Sequence, residues 1–222
     1  MTNSKEIILQ NIKTALNVQS DDEFSPYSDF NNDEYTSNEN SSDLIEEFSE
    51  KLRAQSGSVE IIKNTKHLNK AVTAIFDKTD SKSFTGWYTE ELAGLYKTLQ
   101  QKGFKYIKST RNDLQAKCDI GITLADYAIS ESGTIVLYNN KIKNRNCSLI
   151  VPIHIAILQK EKIVKSIFDI ITTISKDYST LDSINELSNC ITLITGPSRT
   201  ADIELILTLG VHGPKELYVL VV

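Results

Sequence analysis

The amino-acid sequence predicts an α/β fold of three layers: a mostly parallel sheet with helices on both faces. Three observations carry that expectation. From residue 57 onward, short β-branched runs alternate with amphipathic helical stretches, the pattern of strand, crossover and strand. The runs at 191–195 (ITLIT) and 217–222 (LYVLVV) read as buried strands. The length of 222 residues, with 40% hydrophobic and 24% charged residues, suits one domain with a good core plus a small extension. The expected division is 1–56, N-terminal helices with an acidic loop at 19–43, followed by an α/β domain at 57–222.

Each element has its own local reason. Residues 4–17 read as a helix, with Ile8, Ile12 and Leu16 four apart and Leu9 widening the stripe. Residues 19–43 are rich in Asp, Asn, Ser and Glu and contain no Lys or Arg. They read as a solvated acidic linker, dispensable for folding because little apolar material offsets the ordering entropy. Asp43 caps a helix with Ile45, Phe48 and Leu52 inward, ended by Gly57. A strand at 59–63 and a helix at 65–78, with Leu68, Val72 and Ile75 inward, come next. Trp87, the single tryptophan, reads as a hydrophobic anchor. A helix at 90–101 stops at Gly103, before a strand at 104–107 and a short polar helix at 111–117.

The second half begins with a strand at 119–123, one or two helical turns at 124–129 and a strand at 134–138. A basic turn at 139–146 holds Lys141, Lys143 and Arg145, and a long strand at 148–158 is interrupted by Pro152. The connection between Tyr138 and Ser148 is too short for a helical crossover, which predicts antiparallel neighbours. A helix spans 162–176, and a polar connection spans 178–189. In the closing unit, Gly196-Pro197 breaks the strand at 191–195. Ser198 or Thr200 then caps a helix with Ile203, Ile206 and Leu207 on one face, Gly210 lies just past its end, and His212-Gly213-Pro214 turns the chain into the last strand.

Composition narrows the function. A net charge of -5 argues against nonspecific binding to nucleic acid or a membrane surface. No apolar run is long enough to cross a bilayer, and the N-terminus lacks the shape of a secretory signal, so the cytoplasm is expected. Cys118, Cys147 and Cys190 are odd in number and far apart, and read as reduced buried thiols rather than disulfide or iron–sulfur ligands. His67, His154 and His212 lack metal-ligand spacing, and no metal site is expected. There is neither a Walker A loop nor a G-x-G-x-x-G fingerprint.

Two stretches can carry chemistry. In the loop Gly196-Pro197-Ser198-Arg199-Thr200, a glycine allows close backbone approach, two hydroxyls donate, and Arg199 offers a planar fork to a carboxylate or phosphate at a helix N-terminus. Asp202 and Glu204 follow in the first helical turn, and a capped helix with a surface ion pair explains the same residues equally well. Glu131, flanked by Ser130 and Ser132 and followed by Gly133, precedes the strand that begins at Thr134. A carboxylate so placed acts as nucleophile or general base, or accepts hydrogen bonds from neighbouring loops. His212 reaches the Gly196 loop only if the sheet brings the two together.

The same stretches resemble a known family. TGPSRTADIE (195–204) followed by GVHGP (210–214), with GITLADYAISESGTIVLYN (121–139) and RNCSLIVPIHIAIL (145–158), is similar to the signature of the LUD-domain family, and within it the lactate-utilisation protein C type. The resemblance is good from Cys118 onward and weak before it. It implies a fold like that of ribose-5-phosphate isomerase and the CoA transferases. It also implies a part in oxidising L-lactate to pyruvate, as a subunit beside iron–sulfur partner proteins that hold the clusters, with none in this chain. In class I CoA transferases a glutamate in a Ser-Glu-Asn-Gly setting attacks the acyl-CoA; Ser130-Glu131-Ser132-Gly133 is similar, with Ser132 in place of Asn. The expected site is thus Glu131 as catalytic carboxylate, with Ser132, Gly133, Thr134, Gly196, Pro197, Ser198, Arg199, Thr200, Asp202 and His212 around a small carboxylate or phosphate. The alternatives are a stand-alone enzyme of CoA-transferase or sugar-phosphate type, and a non-catalytic interaction domain.

Overall fold

The computed structural model describes residues 41–108, 117–179, 190–201, 207–210 and 212–222. The helix expected at 4–17, the acidic loop as far as residue 40, the helix at 111–117 up to residue 116, most of the connection at 178–189, and Asp202, Ile203, Glu204 and Ile206 lie outside the described residues.

The chain begins with α1 (Ser41–Ala54) and β1 (Ser58–Ile61). Asn64 then adopts an extended conformation, accepts the backbone N–H of His67 on its side chain, and so caps α2 (Thr65–Lys78). Strand β2 (Ser83–Gly86), α3 (Glu90–Gln101) and β3 (Lys105–Tyr106) complete the first half. The second half holds β4 (Ile120–Ala125), β5 (Tyr127–Ile129), β6 (Thr134–Asn139), α4 (Asn146–Leu149), β7 (Ile153–Leu158), β8 (Ile163–Val164), α5 (Ile167–Ser179), β9 (Cys190–Ile194), β10 (Arg199–Ala201), β11 (Leu207–Leu209) and β12 (Glu216–Val221).

Six strands form a wholly parallel sheet in the order β1-β12-β7-β4-β2-β3. Side chains alternate between its faces, so two cores form. On one face Ile120, Ile122, Ile153, Ile155 and Ile157 meet the apolar stripes of α2 (Val72, Ile75, Phe76) and α3 (Leu92, Leu95, Tyr96, Leu99). On the other, Ala125, Ala156, Leu158, Leu217 and Val219 meet Phe48 and Leu52 of α1, Cys147 of α4, and Trp87. The same core takes in Ala128, Ile135 and Leu137 from a second, four-stranded sheet, ordered β8-β5-β6-β9. That sheet is mixed: β5–β6 and β6–β9 are antiparallel, β5–β8 parallel. Its outer face packs Ile129 and Val136 against Ile170 of α5. The expected α/β class with helices on both faces is therefore present, with an additional sheet. Trp87 is fully buried and its indole N–H donates to the Asn144 carbonyl at 3.0 Å, as an anchor.

Five expectations are corrected. Residues 124–129 are not helical: β4 runs on to Ala125, and β5 starts at Tyr127. The stretch at 148–158 is not one strand, because α4 ends at Leu149 and Pro152 lies before β7. β6 and β7 are not antiparallel neighbours; they lie in different sheets, β6 between β5 and β9, β7 between β12 and β4. The length argument holds only for strands that share a sheet. Within the span of the helix expected after Gly196, residues 199–201 and 207–209 are instead antiparallel strands β10 and β11, with Arg199 opposite Leu209, and β9 is a half-exposed edge strand rather than a buried one.

Close approach fixes α4 on the parallel sheet. A Cβ on Gly121 would lie 1.8 Å from the Cys147 carbonyl oxygen, so only glycine lets the α4 backbone rest on β4.

Candidate functional site

The family-like motifs converge where the β5–β6 turn, the β9–β10 turn and the turn before β12 meet the C-terminal end of α1. The pairing of Ile135 with Ile194 sets two of these turns side by side. The Thr134 and Thr195 hydroxyls then hydrogen-bond at 2.8 Å, and Ser132 bonds Thr134 at 2.7 Å. The loops at 130–134 and 196–200 are thus adjacent. Gly133, at φ +66°, and Gly196, at φ +149°, each press on α1: a Cβ would meet Leu52 N at 2.4 Å and the Gln55 carbonyl at 2.8 Å, respectively. The last turn of α1 lies against both loops.

Arg199 stands in a strand, not at a helix N-terminus, so no helix dipole acts on it from that side. Its guanidinium donates to the Gln55 carbonyl at 2.8 Å and to the Ser56 hydroxyl. It thereby satisfies a carbonyl at the end of α1, where a cation also suits the helix dipole. Ser198 joins the third turn: its N–H donates to the Pro214 carbonyl at 2.8 Å, its carbonyl accepts from Gly210 N–H at 3.1 Å, and its hydroxyl accepts from His212 N–H at 3.4 Å. His212 therefore does come beside the 196–200 loop. His212 and Lys215 open on a cavity of about 370 Å³ closed on its other side by Leu149, Ile150, Val151 and Pro152. Pro197 is half-buried in the turn; the side chain of Thr200, like Asp202, lies outside the described residues.

Glu131 is exposed and accepts the Ile167 backbone N–H at 3.3 Å, at the start of α5, where the helix dipole favours a carboxylate. Its neighbour Ser130 is fully buried and donates to Glu47 at 2.5 Å. Lys165 completes the cluster with its ammonium 3.1 Å from the same carboxylate. The Ser130 hydroxyl, and after it Lys165, hold the Glu47 carboxyl below the usual carboxylate range. Sequence reasoning missed Glu47 and Lys165. Glu47 borders the inward stripe of Phe48 and Leu52, and a charged residue beside such a stripe reads as solvated unless its partner, 118 positions away, is known.

Elsewhere, burial raises the thiols of Cys118 to about 11 and Cys147 to about 12, while Cys190 is half-buried. Among the described residues, no three His, Cys, Asp or Glu side chains converge as a metal-ligand set, and no helix is long and apolar enough to cross a membrane.

A LUD-domain family model matches residues 45–222. The chain is 32% identical over 162 residues to Lactate utilization protein C of Macrococcus caseolyticus, covering 71% of this chain and 69% of that protein. It is 32% identical over 169 residues to the protein of the same name from Halalkalibacterium halodurans, covering 72% of each. Among solved structures, a DUF162 family protein from Deinococcus radiodurans superposes with a TM-score of 0.61 at 17% identity, covering 82% of this chain and 98% of that one, a likeness of fold.

Proposed function

This chain belongs to the LUD-domain family, and on that premise we propose that it is a subunit of the lactate-utilisation protein C type, acting in the oxidation of L-lactate to pyruvate. The observation that carries the reading is the 32% identity, across more than two thirds of both chains, to proteins named Lactate utilization protein C. Lactate gives up two electrons and two protons on becoming pyruvate. The electrons pass to iron–sulfur partner proteins; the three cysteines, far apart in the sequence and without a Cys-x-x-Cys pair, suit that division of labour. A small anion, carboxylate or phosphate, sits where the 130–134 and 196–200 loops meet the His212 turn, with Glu131 at its rim. Support comes from the Thr134–Thr195 bond and from the cavity beside His212 and Lys215. The fold is of the kind shared by ribose-5-phosphate isomerase and the CoA transferases, a reading that rests on the wholly parallel sheet. The place of action is the cytoplasm.

Complementation tests the role. A Macrococcus caseolyticus strain deleted for its own Lactate utilization protein C should regain growth on L-lactate when this chain is supplied. Failure to grow, with the chain present at the native level, refutes it. Calorimetric titration with lactate, pyruvate and phosphate tests the ligand. Because Arg199 is exposed, Arg199→Ala should weaken binding by about 1 kcal/mol, near fivefold, and Arg199→Lys by less. Equal affinity in the wild type and Arg199→Ala removes Arg199 from the site.

A further inference from the structure

We propose that a cavity at the carboxyl edge of the parallel sheet is a second binding site, for a monocarboxylate with a short hydrocarbon tail. The cavity holds about 290 Å³, close to the lower bound of roughly 300 Å³ for small-molecule pockets. It lies just outside the ends of β1, β12, β7 and β4, the edge at which open α/β sheets receive ligands. Its floor is apolar: Ile62, Leu68, Leu92, Leu124, Ile157 and Val222. A ligand that covers this floor needs hydrocarbon, and lactate, with one methyl group and a hydroxyl, has too little.

The rim sets the position of the head group. Lys63, Asn64 and Thr65 line one side, and Lys63 is the one cation among the lining residues. They form the entry to α2, whose first turn holds no carboxylate. Asn64 takes the His67 N–H, while the N–H groups of Thr65 and Lys66 have no partner within a helix of standard geometry. On the other side, Glu91 lies with Glu90 in the first turn of α3. The α3 terminus is thus already supplied with an anion, and the α2 terminus with Lys63 is the end that takes the ligand's carboxylate.

Sodium hexanoate is the probe, with hexan-1-ol and lactate as controls, titrated calorimetrically into the full chain. Hexanoate should bind, hexan-1-ol at least tenfold more weakly, and lactate should not displace hexanoate. Lys63→Gln should weaken hexanoate several-fold. Leu68→Trp fills the floor and should abolish binding. Thr65→Glu, which suits the helix dipole and so spares the fold, should also abolish binding by placing a carboxylate where the head group sits. Circular dichroism on each variant verifies folding. No hexanoate binding to the wild type, or the same affinity in Thr65→Glu, overturns the proposal. Displacement of hexanoate by lactate overturns the claim of a second site, since the two ligands would then compete for one.

Discussion

Acid is the perturbation to which buried His154 should respond most sharply. The imidazole lies inside β7, fully buried, with Nε2 2.9 Å from the Thr123 hydroxyl and Nδ1 without a partner among the described residues. Burial lowers its pKa from 6.5 to about 3, so the folded protein holds it neutral. The unfolded chain takes up the proton near 6.5, and between 6.5 and 3 it binds more protons than the folded one. Stability is therefore unaffected by this group above 6.5, falls as the pH drops through 6.5, and reaches its full loss only near 3. The slope is about 1.4 kcal/mol per pH unit, or about 2 kcal/mol at pH 5. At pH 5 that figure depends only on the unfolded value, because the folded pKa lies far below. Other groups also titrate, so the comparison is with Thr123→Val/His154→Leu, which replaces both bonded partners by apolar groups and leaves neither unsatisfied. Urea unfolding at pH 7 and pH 5 should show the wild type losing about 2 kcal/mol more than the double variant. Parallel losses in the two proteins would refute the reasoning, since His154 would then be charging within the folded state.

Three further outcomes follow from packing and charge. Glu47→Gln should cost about 1 kcal/mol at pH 7 by urea unfolding, because Glu47 and Lys165 are each about 30% exposed. The gap should close as the pH falls through and below 4.5, where the lowered carboxyl of Glu47 loses its advantage. Gly121→Ala should cost about 3 kcal/mol or prevent folding, since the Cβ meets the Cys147 carbonyl; a thermal midpoint within 2 °C of wild type, roughly the shift from less than 1 kcal/mol, contradicts this. Lys143→Met removes the partner of Asp126, whose pKa burial already raises despite the 2.5 Å ion pair. It should cost about 3 kcal/mol, and Lys143→Met/Asp126→Asn should recover most of that loss.

Much of the architecture is legible in the residues themselves. The α2 and α3 spans follow from their apolar periodicity, and both helices lie on the face of the sheet that such stripes require. The strands of the parallel sheet read as apolar β-branched runs because both of their faces are covered. The motif residues were also found from sequence: Thr134, Gly196, Ser198 and His212 do meet in space.

What the tertiary structure alone determined are the choices local chemistry leaves balanced. A three-residue apolar spacing in 203–207 suits a helix, yet residues 199–201 and 207–209 become β10 and β11, because pairing Arg199 with Leu209 satisfies backbone groups of both strands. Periodicity marks a strand but not the sheet it joins, so β6 and β7 separate although few residues connect them. Glu47 reads as a solvated helix residue until Ser130 and Lys165, far along the chain, close on it. Arg199 has the fork for an anion, but the end of α1 reaches it first with a backbone carbonyl. In the last two cases the deciding partner is distant in sequence, and only the folded chain brings it within hydrogen-bonding range.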